Sequence, residues 1–551
     1  MRRALLRHAF QPLTASGAVL GTGKSVHVAL HRAALARYVG VGGGGSSGGA
    51  GHDSEVPSRL AQVLDEQVLG RVLPHMPAFD ATRPPHVAVG LSGGVDSAVA
   101  AWLLKTAGYR VTGVLMRPWD EAEETGGECS FEKDQRDARA VARTLGIPLE
   151  EVDFVQEYWH AVFEPFLRGF EGGGATPNPD LACNRHIKFG ALLHHCSSVI
   201  GADLLATGHY ARVAEGGARL LRGIDPEKDQ SYFLASVRGE ALRRACFPLG
   251  GLTKREVRSL AAGPAGLPPA VTQRRSSAGI CFIGRKKDFG DFIQEYIHTP
   301  GGRGGGGGGE VRLSDSQDDA AKGAGSVEVH NQALGPDEEL KKCQEEGGKF
   351  VSVEDGRVVG GHRGTARYTS GQRARLGGAP QAWYVVGKDA RAGVNRVYIA
   401  PGADHPSLFT SAAVVGRCFW VAGEPPGRAL SGHGNNGEGG VRALAQTRYG
   451  ARAVGCTVRF VPHNVSPSVV PSRFCTPPLS AEVETDVEDA LMEVIFDDPE
   501  RAVTPGQALV LYDGDACLGG GVVIYPGPSL HEVAKGGQKV ASSILKSISY
   551  A

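Results

Sequence analysis

The 551-residue chain has no run of about 18 apolar residues, so no membrane-spanning helix is expected. It also has no surplus of either charge. Fifty-nine basic and 59 acidic residues give a formal net charge of +0, which argues against holding nucleic acid by bulk charge, although a local basic face remains open. Ten cysteines are scattered without a CxxC pair, which argues against a zinc ribbon or a secreted disulfide framework and fits reduced thiols in an intracellular compartment. The first 52 residues contain no Asp or Glu, while Arg2, Arg3, Arg7, Lys24, Arg32 and Arg37 are basic. Acid-free, Arg-rich leaders resemble organelle transit peptides, the alternative being a disordered basic extension. Within this leader, Gly21-Thr22-Gly23-Lys24-Ser25 mimics a phosphate-binding P-loop but has Ala18 where the first glycine is needed.

What is present begins with Val87-Ala88-Val89-Gly90-Leu91-Ser92-Gly93-Gly94-Val95-Asp96-Ser97. An apolar strand runs into a Ser/Gly loop, and a helix is expected at once, from about Ser97 to Thr106. Such a loop offers backbone N–H groups to a phosphate at the positive end of a helix. Gly93 and Gly94 permit the close approach that a side chain would block. The loop lacks the Lys-Ser/Thr ending of a Walker A motif and resembles the PP-loop of ATP pyrophosphatases, which cleave ATP between its α- and β-phosphates.

Length implies two to four domains. Gly42 to Gly51 reads as a flexible linker closing the 1–52 leader, and Arg59 to Leu73, within 53–84, as a short amphipathic helix. Strand 86–91, helix 97–106, strand 110–116, helix 132–144 and a strand near 150–154 then alternate in βαβ fashion. This predicts an α/β domain over 85–285 built on a parallel sheet. A further strand, Ala202 to Ala206, ends at Thr207-Gly208-His209-Tyr210. Ligands in such folds gather at the carboxyl ends of strands, so the loop after Gly90, Met116 and Gly208 are expected to line one nucleotide site. The segment 286–402 is expected to be a small β-rich domain interrupted by a disordered Gly-rich insertion over 301–348. Short punctuated strands over 403–527 predict an antiparallel barrel, with loop insertions near 424–441 and 463–487 and a tail over 528–551.

Two cysteines stand in distinctive surroundings. Thr176-Pro177-Asn178-Pro179-Asp180-Leu181-Ala182-Cys183 places Asp180 one helical turn before Cys183, with Arg185, His186 and Lys188 following. Nearby cations favour the thiolate. Cys281 lies in Ser276-Ser277-Ala278-Gly279-Ile280-Cys281-Phe282 among five basic residues. A cysteine between Ile and Phe reads equally well as a small buried hydrophobe, and context alone leaves both readings open.

Taken together, the PP-loop, the Thr-Pro-Asn-Pro-Asp…Cys-Asn block, Ala206 to Tyr210, Lys228-Asp229-Gln230-Ser231-Tyr232-Phe233, Gly279 to Phe282, Tyr368 to Arg373, Trp383 to Val386, Thr504 to Gln507 and Cys517 to Gly521 resemble the tRNA-specific 2-thiouridylases over about 85 to 527. The resemblance implies an ATP- and Mg²⁺-dependent sulfurtransferase that adenylates the C2 oxygen of the wobble uridine and replaces it with sulfur. It implies nucleotide contacts from Gly90, Leu91, Ser92, Gly93, Gly94, Val95, Asp96, Ser97, Met116 and Gly208. It makes Cys281 the persulfide carrier, Cys183 the second thiol that leaves a Cys183–Cys281 disulfide, and Asp180 the general acid/base. Asn178, Pro179 and Asp180 would surround the flipped base. His209, Lys228, Asp229, Gln230, Arg448, Tyr449 and Gln507 would contact the tRNA anticodon arm. A sulfur-relay protein or cysteine desulfurase would be the donor, and no membrane partner is implied. Cys246 to Lys254 is most like the mitochondrial branch, so a mitochondrial address is expected, with the chloroplast as alternative. One departure stands out: members of this family often carry an acidic residue in the stretch here occupied by Ser276-Ser277-Ala278. Rival readings are another PP-loop adenylating enzyme, a tRNA-binding relative without activity, and a metal or iron–sulfur cluster on Asp180, Cys183 and Cys281.

Overall fold

The computed structural model describes residues 64, 66–76, 83–119, 130–171, 174–214, 217–274, 289–296, 348–389, 394–426, 440–461, 466–475 and 491–536. The leader, the Gly42–Gly51 linker, Cys281 with its flanking residues, and nearly all of the 301–348 insertion lie outside them.

β1 (His86–Gly90), β2 (Arg110–Arg117), β3 (Leu149–Asp153) and β4 (Leu204–Ala206) run parallel. A hairpin of β5 (Ala211–Ala214) and β6 (Arg219–Arg222) precedes β7 (Ala245–Cys246), which joins the same sheet in the order β3-β2-β1-β4-β7. Its inner strands are buried on both faces, as their apolar residues require, whereas the edge strand β3, Leu-Glu-Glu-Val-Asp, is half exposed. Val87 and Val89 face a core shared with helices Val95–Thr106 and Lys254–Ala262, whereas Ala88 faces one shared with Tyr158, Phe163 and Ile187. The period-two alternation of a strand produces this division. The helix expected from about Ser97 starts at Val95, with Gly94 as its N-cap. Of the predicted 59–73 helix, Glu66–Val72 is helical and buries Leu69 and Val72 against the sheet.

The middle domain is a curled sheet of β8 (Gly348–Ser352), β9 (Val358–His362), β10 (Arg373–Ala374), β11 (Trp383–Asp389) and β12 (Arg396–Pro401), in the order β10-β11-β12-β8-β9. Phe350, Val385, Val397 and Ile399 fill its core. β13 (Phe409–Trp420), β14 (Val441–Gln446), β15 (Val454–Val461), β16 (Leu491–Arg501), β17 (Ala508–Asp513) and β18 (Ala516–Pro526) then form an antiparallel barrel. Closure comes from β13 pairing with both β16 and β18, which removes the exposed edges of a six-stranded sheet.

The domains interlock more than their sequence order suggests. β6 pairs with β18, so the β5–β6 hairpin of the first domain extends the barrel sheet. Helix Phe289–Tyr296 inserts Phe292 and Ile293 into the first domain's core, although sequence boundaries assign it to the middle one. Residues 466–475, expected to be part of a loop insertion, bury Val469, Phe474 and Cys475. The expected tail begins with helix Leu530–Gly536, whose Glu532 accepts hydrogen bonds from Ser472 Oγ, Arg473 N and Ser529 N, each at 2.8 Å. Among the described residues no helix is long and apolar enough to cross a membrane.

Candidate active site

β1 lies between β2 and β4, so the chain reverses its direction of strand addition beside β1, and the carboxyl ends of β1 and β4 open onto the resulting crevice. The Ser92–Ser97 loop leaves β1 there. Ser97 Oγ donates to Gly94 O at 3.1 Å, accepts from Ser92 N at 3.2 Å and lies 3.2 Å from Ser92 Oγ, which closes the loop on itself. Gly93 has φ +67°, and a Cβ there would stand 2.7 Å from Asp134 O. Gly208, after β4, packs so closely that its Cβ would lie 2.7 Å from Ser97 N. The expected nucleotide residues therefore converge, and Met116 lies buried toward the carboxyl end of β2.

Asp96 is held from two sides. Lys254 Nζ lies 2.5 and 2.6 Å from its carboxylate oxygens, and Tyr210 OH donates to it at 2.7 Å. Lys254 sits at N1 of a helix fixed by a Thr253/Glu256 capping box. Burial, then the Asp96 charge, raises the Tyr210 pKa, so its phenol remains protonated and donating. Arg274 reaches Gly93 O at 3.3 Å and Asp137 at 3.2 Å, and also pairs with Asp134, which braces the glycine turn from behind.

The second cluster is joined to the first by hydrogen bonds. Tyr210 N donates to Gln230 Oε1 at 3.0 Å. Three residues on, Phe233 O accepts from Asn184 Nδ2 at 3.2 Å, and the same amide donates to Asp180 O at 3.0 Å. Asn178 caps the turn Pro179–Ala182 by accepting from Asp180 N at 2.9 Å. The widened helix Cys183–Leu192 follows directly; such i→i+5 turns are uncommon and concentrate at functional sites. Burial, then the Asp180 charge, raises the pKa of Tyr232, which places Asp180's carboxylate near that phenol. Cys183 is 0% exposed, packed with Ile187 and Phe189. His186 was expected to be one of the cations favouring its thiolate, but burial, reinforced by Arg185 and Arg238, lowers the His186 pKa, so the ring is neutral at pH 7.

The expected RNA contacts divide into two groups. Arg448 and Tyr449 are exposed on the barrel, and the Tyr449 ring lies 4.3 Å from Phe233, beside the Asp180 cluster. Asp229 is instead an internal joint, accepting from Gly223 N, Ser231 N and Ser231 Oγ at 3.0 Å and from Arg222 at 3.1 Å. Gln507 Nε2 donates to Thr176 O at 2.6 Å. His209 is buried against Phe189 and Phe247, shares a 2.7 Å hydrogen bond with Thr207 Oγ1, and is held neutral by burial and by Lys188. Lys228 is half-buried. No disulfide joins described residues, and Cys281 lies outside them, so the expected Cys183–Cys281 bond gains no support here.

Residues 85–285 match the family described as tRNA methyl transferase HUP domain, 340–401 its PRC-barrel domain, and 469–523 the aminomethyltransferase beta-barrel domain. Across 449 residues the chain is 39% identical to tRNA-specific 2-thiouridylase MnmA of Methylococcus capsulatus, covering 80% of this chain and 96% of that one. The chain belongs to the tRNA-specific 2-thiouridylase family. Mitochondrial tRNA-specific 2-thiouridylase 1 of Homo sapiens is 36% identical over 476 residues, covering 82% of this chain and 93% of that one. Within this family framework, Lys254, Tyr210, Arg274 and Asn184 stand at the candidate site although motif reading, which met all four, gave none of them a role there. Lys254 and Arg274 reach the loop from 158 and 181 residues away, and no local spacing announces them.

Proposed function

We propose that this protein is an ATP-dependent tRNA 2-thiouridylase that adenylates the C2 oxygen of the wobble uridine and replaces it with sulfur from a cysteine persulfide. The observation that carries this reading is the crevice at β1 and β4, where a closed Ser92–Ser97 loop is connected to the Asn178–Cys183 cluster through Tyr210, the 230–233 segment and Asn184. Two activities are needed, phosphate handling and chemistry on a base, and these two clusters supply one each.

A uracil C2 oxygen is a poor leaving group until it is esterified to AMP. ATP suits the first cluster: Gly93 and Gly208 let the loop pack tightly at the start of a helix, and the Lys254 ammonium, paired with Asp96, would turn toward the phosphates. Among the described residues no group of His, Cys, Asp or Glu is poised to hold a metal. Mg²⁺ would arrive on the triphosphate and neutralise the departing pyrophosphate. Asp180 lies where a base drawn toward Asn178 and Pro179 would meet it, and it would take the proton released at the uracil. Cys281 would bear the persulfide whose terminal sulfur attacks C2 and expels AMP; the Cys183 thiolate would then attack Cys281 Sγ, breaking its S–S bond to free the 2-thiouridine and leaving a Cys183–Cys281 disulfide for an external thiol to reduce. Because Cys183 is fully buried, the packing around its thiol would have to move before this step.

Arg448 and Tyr449 would bind the anticodon arm, together with Lys228. Asp229, Gln230 and Gln507 serve RNA binding indirectly through the joints they make. His209 would meet only a base brought into the crevice. A sulfur-relay protein or cysteine desulfurase would charge Cys281. The bacterial and human relatives stand at similar identity, so the mitochondrial address rests on the acid-free leader. The test is tRNA-dependent release of pyrophosphate and AMP from ATP. A tRNA with wobble uridine is expected to drive it and one with wobble cytidine is not; equal release with both would refute the reading.

A further inference from the structure

A lysine amine inside a protein is costly unless it is hydrogen-bonded. Lys388 on β11 is 2% exposed. Its Nζ crosses from the middle domain to donate to Ala175 O at 3.0 Å and Thr176 Oγ1 at 3.2 Å. Burial lowers its pKa to about 8, so the ammonium form still predominates at neutral pH. β11 lies flush on the 466–475 segment: a Cβ at Gly387 would be 2.1 Å from Phe474 O.

The barrel grips the same residue. Thr176 N donates to Pro505 O at 2.8 Å, and Thr176 O accepts from Gln507 Nε2 at 2.6 Å. Gly506 between them has φ +86°, and a Cβ there would lie 3.0 Å from Pro177 N. From the middle domain again, Thr369 Oγ1 lies 3.5 Å from Thr176 Oγ1. Thr176 is thus the point where all three domains meet, two residues before Asn178 and four before Asp180. The intervening Pro177 and Pro179 each fix their own φ and restrict the residue before them. Orientation imposed at Thr176 therefore passes along a stiff segment to Asp180.

We propose that Lys388 is a positioning residue: together with Gln507 it locks Thr176, so that Asn178 and Asp180 reach working geometry only when the middle domain and barrel are both docked on that residue. The inference rests on the reading of Asp180 as the proton-handling group. It gives the middle domain, which carries no chemical motif of its own, control over the rate of the chemical step.

The test uses the full-length chain and three variants, Lys388→Met, Thr176→Val and Thr176→Ser. Hydrogen exchange by mass spectrometry reads the amides of Asn178 and residues 180–184, while single-turnover thiolation at saturating tRNA reads the chemistry. Lys388→Met is expected to speed exchange at those amides about tenfold and to slow turnover about 30-fold, with tRNA Kd changed less than about twofold. Thr176→Val loses the Thr176 hydroxyl that accepts from Lys388 and slows turnover about fivefold, and Thr176→Ser recovers most of that loss. If Lys388→Met does not fold, the Val/Ser pair decides. Unchanged exchange and rate in both Lys388→Met and Thr176→Val would overturn the proposal, as would a tRNA Kd that rises as far as the rate falls. Should wild type make no 2-thiouridine, the enzymatic reading fails, and the exchange arm still reports whether Lys388 locks the loop.

Discussion

Lys254 Nζ contacts both carboxylate oxygens of Asp96, at 2.5 and 2.6 Å, across 158 residues of sequence. The pair joins the helix after β1 to the helix that follows β7 beside the phosphate loop, where a bound triphosphate would compete with Asp96 for the ammonium. Lys254→Met is expected to lower the rate of pyrophosphate release about 100-fold, the scale for loss of a group that stabilises transition-state charge. tRNA affinity should stay at the wild-type value in a filter-binding assay, because the pair faces the nucleotide side of the crevice.

Gly208→Ala tests the closeness of the two strand ends. Its Cβ would meet Ser97 N at 2.7 Å and Asp96 C at 2.8 Å, both backbone atoms that yield only if the loop moves. Thermal melting is expected to show a destabilisation of about 1–3 kcal/mol. Calorimetry is expected to show an ATP Kd weakened at least about tenfold, which corresponds to about 1.4 kcal/mol.

Tyr449 and Asp229 should separate cleanly. Tyr449 is 40% exposed and rests on Phe233, so Tyr449→Ala is expected to weaken tRNA binding by about 1–3 kcal/mol, as loss of a stacking ring does, while melting temperature holds. Asp229→Ala removes the carboxylate paired with Arg222 and the acceptor of Gly223 N, Ser231 N and Ser231 Oγ and should destabilise the fold by about 3 kcal/mol. Equal losses of tRNA affinity, both without destabilisation, would contradict this division.

Acid should weaken the fold through buried histidines. Burial lowers the pKa of His75 to about 4, of His362 to about 4, and of His209 well below 6.5. Below pH 6.5 the unfolded chain binds protons at these rings that the folded chain refuses, so their contribution is complete above 6.5 and declines as pH falls toward 4. Urea midpoints at pH 7 and pH 5 should show the loss, and His362→Phe, set between Phe350 and Tyr368, should flatten it.

The phosphate loop was legible in the sequence because its chemistry is local: a strand, a Ser-Gly-Gly turn and the start of a helix fall within eleven residues. The parallel sheet and the barrel strands were legible for the same reason, through period-two and helical patterns of apolar residues. What sequence could not reveal depends on distant partners. Gln507 has the form of an RNA-contacting amide, and its sequence context gave no sign that one of its N–H groups also donates to Thr176 O. Residues 466–475 looked like an inserted loop because Ser and Pro dominate them, and only the burial of Val469 and Phe474 makes them structural. His186 read as a cation beside Cys183 until burial made it neutral.

The central claim is tested most directly by mass spectrometry of nucleosides from an unmodified wobble-uridine tRNA incubated with the protein, ATP, Mg²⁺ and a cysteine desulfurase with its cysteine. The account predicts 2-thiouridine with wild type and none with Cys281→Ala or Asp180→Asn. Absence of 2-thiouridine with wild type that still binds tRNA, or its persistence in Cys281→Ala, would contradict the account.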